Sequence, residues 1–127
     1  MTAASLSESL VAFLDGLGGV TWYPLRLPES CALPAGTYQR ISDVPVHTHD
    51  GVSSLRPRRY QLTIYSERYT EGLAAALVVV LALAGIRDTW SGWTVTSMLV
   101  DDAEDIDPEP RGLFRQRVDV MITSEAP

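Results

Sequence analysis

Lysine and asparagine are absent from this 127-residue chain, and all ten basic side chains are arginine. Both missing residues use A-rich codons, so a GC-rich genome accounts for the absence and no function is read from it. Arginine does suit bidentate contacts at interfaces. The single cysteine, Cys31, excludes an intramolecular disulfide and with it the disulfide-stapled secreted class. Its thiol lies between Pro28 and Pro34 and is read as inert, since a nucleophilic cysteine needs a nearby base. Long apolar runs are missing too. The longest, "LAAALVVVLALAGI" from Leu73 to Ile86, falls short of the roughly 20 residues that span a bilayer. The N-terminal stretch has no basic residue and carries Glu8 within its apolar part, unlike a secretory signal. The expectation is a soluble protein made in the cytoplasm, with no membrane partner.

What the chain has in excess is acid, and the excess is local. Net charge is −6, from 16 acids and 10 bases. Six of the acids fall in "DDAEDIDPEP": Asp101, Asp102, Glu104, Asp105, Asp107 and Glu109. Elsewhere acids and bases balance. A sequence-specific nucleic-acid binder carries the opposite excess. With 46% hydrophobic residues there is material for one core, so residues 1–127 are expected to form a single domain. Flexible ends are expected at 1–4 and 124–127, and an acidic loop at 101–110.

The hydrophobic periods predict the elements. Ser5 to Leu14 reads as a short amphipathic helix with Leu6, Leu10, Phe13 and Leu14 on one face. Ser5 and Glu8 have the spacing of a capping box, and the glycines at 16, 18 and 19 end the helix. Val20 to Pro34 is interrupted by three prolines, so it is at best an edge strand followed by a surface loop. Gly36 to Ser42 reads as a strand and Asp43 to Leu55 as a polar loop. Arg58 to Ser66 alternates cleanly, with Tyr60, Leu62 and Ile64 on one face and Arg59, Gln61, Thr63 and Tyr65 on the other.

Tyr69 to Ala84 is the main helix, with Leu73, Leu77, Val80, Leu81 and Ala84 as one stripe. Val78, Val79 and Leu83 fall outside that stripe, so the helix is apolar nearly all round and needs cover on more than one side. One side suits the protein's own sheet; the other points to self-association. Strands are predicted at Thr94–Val100 and Gly112–Thr123. In the last, Phe114, Val118, Val120 and Ile122 share a face with Gln116, opposite Arg115, Arg117 and Asp119. The expected fold is α+β: a mostly antiparallel sheet of about four strands with both helices on one face.

Motifs that carry chemistry are sparse. His47, His49 and Asp50 sit together in "VPVHTHDGVSS". Two histidines at i, i+2 share a face of an extended segment, but catalytic zinc commonly takes three protein ligands, and no third histidine exists. The acidic run lacks the central glycine and the closing glutamate of a calcium loop. "GLGG" at 16–19 has no following Lys-Ser/Thr and comes after a helix. No serine nucleophile elbow is present. Arg56, Arg58 and Arg59 form a basic knot too small to argue nucleic-acid binding. No enzyme, metal or cofactor is expected. A small metal-dependent hydrolase using His47, His49 and Asp50 is the alternative of another class.

One family does fit the order of features. Pro34, Tyr38, Gln39, Arg40, Ile41 and Ser42 match a "Pro…-Tyr-Gln-Arg-Ile/Val-Ser" strand. Gly51, Leu55, Arg56, Arg58 and Gln61 match a glycine-bearing loop and the lead-in to the next strand. Tyr65, Ser66, Tyr69, Leu73, Ala74 and Gly85 match an aromatic-Ser-x-x-Tyr junction into an alanine-rich helix, and "FRQRVDVMI" matches a closing strand. From about Ser5 to Ile122 the chain resembles the tail-completion, or tail-terminator, proteins of long-tailed bacteriophages. The long apolar "VVVLALA" and the acidic run depart from the family pattern.

The resemblance implies a virion structural protein at the head-proximal end of the tail. Such proteins form a ring, usually a hexamer. The ring stops polymerisation of the tail-tube protein and meets the head-completion, or stopper, protein. Genome DNA passes through the lumen without specific binding. Another head–tail connector or minor tail protein is the nearest alternative. On this reading the hairpin tip with His47, His49 and Asp50 faces a neighbour or the tube. The acidic segment faces the lumen or a partner ring, and the candidate contact residues are these together with Arg56, Arg58 and Arg59.

Overall fold

The structure is a computed structural model and describes residues 5–43, 47–48, 51–52, 55–90, 92–106 and 112–125. In chain order its elements are α1 (Leu6–Gly16), β1 (Thr21–Pro24), β2 (Ala35–Asp43), β3 (His47–Thr48), β4 (Gly51–Val52), β5 (Leu55–Ser66), α2 (Tyr69–Leu83), β6 (Asp88–Trp90), β7 (Trp93–Ile106) and β8 (Phe114–Glu125). The class is α+β as predicted, but the main sheet has six strands, in the order β1-β2-β5-β8-β7-β6. The count of four left out β1 and β6, although β1 lies within the stretch read as at best an edge strand and does stand at the sheet edge. At four and three residues, the second ending its pairing at Trp90–Trp93, they are too short to show alternation. All neighbours pair antiparallel except β1 and β2.

The alternation in β5 and β8 decides which face is covered. Tyr60, Leu62 and Ile64 lie beside Val120, Val118 and Gln116 in register, and all six are buried. β7 adds Val95 and Met98 to the same core. Each such apolar side chain contributes on the order of 1.5–3 kcal/mol by leaving water. Both helices lie on this face. The α1 side is fixed by Leu6, Leu10 and Leu14, which join the core, and by a 2.9 Å hydrogen bond between the Ser7 and Tyr60 hydroxyls. At its start the Glu8 amide donates to the Ser5 hydroxyl at 3.1 Å, supplying half of the predicted capping box. At its far end Phe13 stacks on Trp90 with ring centres 5.1 Å apart.

α2 enters directly from β5 and lies across β5, β8 and β7. It meets the sheet through Gly72, Ala76, Val79 and Leu83. A Cβ at Gly72 would collide with the Ser66 hydroxyl, so this glycine sets how closely helix and sheet approach. Gly85, with φ of +76°, turns the chain out of the helix.

β7 and β8 pair from Thr94–Glu125 to Ile106–Arg115, with two register shifts along the way. Instead of the loop expected at 101–110, Asp101 to Ile106 are strand, because β8 pairs along this stretch and sets Arg117 beside its carboxylates. Asp107 and Glu109 lie outside the described residues. β8 continues through Ser124, whose side chain is fully buried.

Candidate interaction surfaces

The outward side of α2 is the largest apolar exposure on the described surface. Leu73, Leu77 and Leu81 are 45%, 58% and 71% exposed, and Val78 is half exposed. The predicted stripe therefore exists but points away from the sheet. The solvent-facing side of a surface helix is ordinarily polar and charged, and this one carries no charge between Glu71 and Arg87. Grooves flank the helix. One of about 380 Å³ lies against the end of α1 and is lined by Leu14, Leu17, Trp22 and Val78. The other, of about 420 Å³, lies between α2 and the far half of the β7–β8 ribbon. Leu73, Ala76, Leu77, Val80 and Ala103 make it apolar, and Glu104, Asp105 and Arg117 stand at its rim. Gln116 is buried in its wall, and its Nε2 has no hydrogen-bond partner among the described residues.

The acidic residues are ordered by the open face of the sheet. Arg59 pairs with Asp101. Arg117 pairs with Glu104 and reaches Asp102 and Asp119 at 3.5 Å each. One guanidinium against three carboxylates leaves this patch negative. Such exposed pairs contribute only about 0.2–1 kcal/mol each, so their effect is on field more than on stability. Asp105 lies on the helix side and accepts a 2.7 Å hydrogen bond from the Tyr69 hydroxyl. That bond is the main reason the Tyr69 phenol is raised above its ordinary value, with burial and the charge of Asp105 adding to it. Tyr69 also meets the Phe114 ring edge-on at 6.0 Å, tying the start of α2 to the ribbon.

The arginine knot separates into different roles. Arg58 is buried, with Asp43 at 3.2 Å, Ser124 at 3.2 Å and the Trp93 ring centre at 5.1 Å. Arg56 is partly exposed and pairs with the same Asp43 at 3.0 Å. Arg59 belongs to the acidic patch on the other face. Sequence reasoning grouped the three by proximity along the chain; the strand alternation that separates them was available in β5. In the histidine segment the backbone of His47 pairs with Val52 and that of Thr48 with Gly51, forming a small ribbon. His49 and Asp50 lie outside the described residues. Among the described residues no group of three or more metal-binding side chains converges.

No protein-family model matches the sequence, and no curated protein matches it. A solved structure does. The chain shares its fold with a chain of the virion of a native gene transfer agent particle, with a TM-score of 0.71 and 17% identity. The match covers 94% of this chain and 91% of that one. At this identity the likeness is one of fold, and it takes in nearly the whole of both chains.

Proposed function

We propose that this chain is a structural subunit of a phage-like virion. More finely, we read it as the ring subunit that caps the head-proximal end of a tail tube, ends tube polymerisation and joins the tail to the head-completion protein. The observation that carries the reading is the near full-length fold likeness to a chain of a gene transfer agent virion. The order of features from Pro34 through Gly85 favours the tail-terminator role within that class.

The α2 surface supports assembly. In a ring each copy covers apolar area on the next, which a lone subunit of this size leaves open. The absence of a basic excess suits a lumen through which DNA slides without being gripped. The resemblance sets the expected copy number at six. No catalysis and no cofactor is assigned.

Negative-stain microscopy of the protein mixed with purified tails tests this. A ring at one tail end is the expected result. Tubes that continue to lengthen in its presence would remove the terminator role. A ring found on head particles and never on tails would move the chain to the head–tail connector alternative.

A further inference from the structure

The sheet places two complementary features on opposite sides of the subunit. On one side is the knuckle that follows the edge strand β1. Leu25 has φ of +64° and is 68% exposed, and Arg26 beside it is exposed. A leucine in the left-handed region is strained, and a large apolar side chain held out into water in that conformation is a feature of contact loops more than of packing. On the other side is the groove between α2 and the far half of β7. Its floor is apolar, Asp105 stands at its rim on the helix side, and Glu104 and Arg117 meet each other at its margin. Its wall holds the Gln116 amide, whose Nε2 has no hydrogen-bond partner among the described residues.

The two match in chemistry. Leu25 fits the apolar floor, Arg26 fits the exposed Asp105 carboxylate, and a loop backbone carbonyl is the acceptor that the Gln116 amide lacks. They also match in height. Pro24, Tyr38, Leu62, Val118 and Ala103 stand in one row across five strands, in register. Leu25 follows the first of these directly, and Ala103 lines the groove. Copies set side by side therefore bring knuckle to groove with little offset along the strands.

We infer that the groove between α2 and the β7–β8 ribbon receives the Leu25–Arg26 knuckle of a second copy of this chain. The contact is head-to-tail: it joins unlike surfaces, so repetition closes a ring if the turn per subunit allows and extends otherwise. This rests on the ring reading above and names its interface. The exposed Leu73–Leu77 row is then the wall against which the knuckle packs, rather than a seam between two α2 helices.

Disulfide trapping between two purified full-length variants, each also carrying Cys31→Ser, tests it. One carries Arg26→Cys and the other Asp105→Cys. The expected result is a cross-linked dimer when the two are mixed under mild oxidation, and little when either is oxidised alone. A third variant, Leu77→Cys, reports the rival symmetric contact. Efficient cross-linking of Leu77→Cys alone, with none in the mixture, would overturn the head-to-tail contact, since a two-fold contact closes at a dimer. No cross-link in any variant, although circular dichroism shows each folded, would overturn it as well. Microscopy with tails judges the ring reading separately. Arg26→Glu is expected to weaken self-association at least tenfold by sedimentation velocity, and an unchanged association constant would count against the assignment.

Discussion

The two helices carry leucines at the same spacing and use them in opposite ways. In α1, Leu6, Leu10 and Leu14 are all at or below 3% exposed. In α2, Leu73, Leu77 and Leu81 stand outward over the same face of the same sheet. Polarity orients α1, because Glu8 and Asp15 can only face water and leave one side to bury. No such choice exists in α2, which has no charge along its length after Glu71. Size decides instead. Gly72 and Ala76 let the backbone come down onto β5 and β8, and the leucines are turned out as a result. A helix can thus be placed by its smallest residues when its polar ones are missing.

The largest expected effect contrasts the two rows directly. Leu10→Ala should cost about 2–5 kcal/mol, the range for deleting a fully buried leucine side chain. Leu77→Ala should stay within about 0.5 kcal/mol for the isolated subunit, as surface changes do. Urea unfolding of both variants checks this, and equal losses would erase the contrast. A middle-sized effect tests the role of size. Gly-to-Ala in an open helix gains up to about 1 kcal/mol. At Gly72 the new methyl meets the Ser66 hydroxyl, and overpacking should instead destabilise by about 1–3 kcal/mol. A raised melting temperature for Gly72→Ala would show that close approach does not orient α2.

The smallest effect concerns how each helix starts. The first turn of α1 is held by the Ser5 hydroxyl, which does not titrate in the accessible range. α2 has no side-chain cap and is tied instead through Tyr69 to Asp105. Because the folded phenol is raised, this tie contributes fully below the unfolded value of about 10 and is lost as pH climbs through the folded value. Tyr69→Phe should therefore lower stability slightly at neutral pH and flatten part of its alkaline decline. Tyr38, raised first by burial and then by Asp15 and Glu8, remains in that variant as the reference titration. An unchanged alkaline slope in Tyr69→Phe would mean the tie contributes nothing.

Where one polar side faced one apolar side, the chain was legible. The α1 face, the two faces of β5 and the two faces of β8 all stand as their periods predict. The stop at Gly85 was also visible, because only a left-handed turn was needed there. The side of α2 that meets the sheet was not legible, since periodicity cannot choose between two apolar faces. The acidic run misled for a different reason. Four carboxylates in six residues look like a solvated loop until a partner strand brings Arg117 and Arg59 beside them. Those arginines were already known to share the outward faces of β8 and β5; pairing β7 with β8 was the missing step. The groove beside α2 could not be read at all, because it joins three elements far apart in sequence.

The far half of β7 has a consequence for the subunit before it assembles. Among the described residues β6 pairs only with its first three residues, so the stretch from Asp101 to Ile106 runs along an open edge of the sheet. An open edge is a template for unwanted strand addition. Here two such edges laid against each other would set Asp101, Asp102, Glu104 and Asp105 against the same run of carboxylates on the second copy, and the repulsion grows with each residue paired. Carboxylates along this strand thereby disfavour the addition of a second copy's edge, a protection that neither β5 nor β8 needs, since each is paired on both sides.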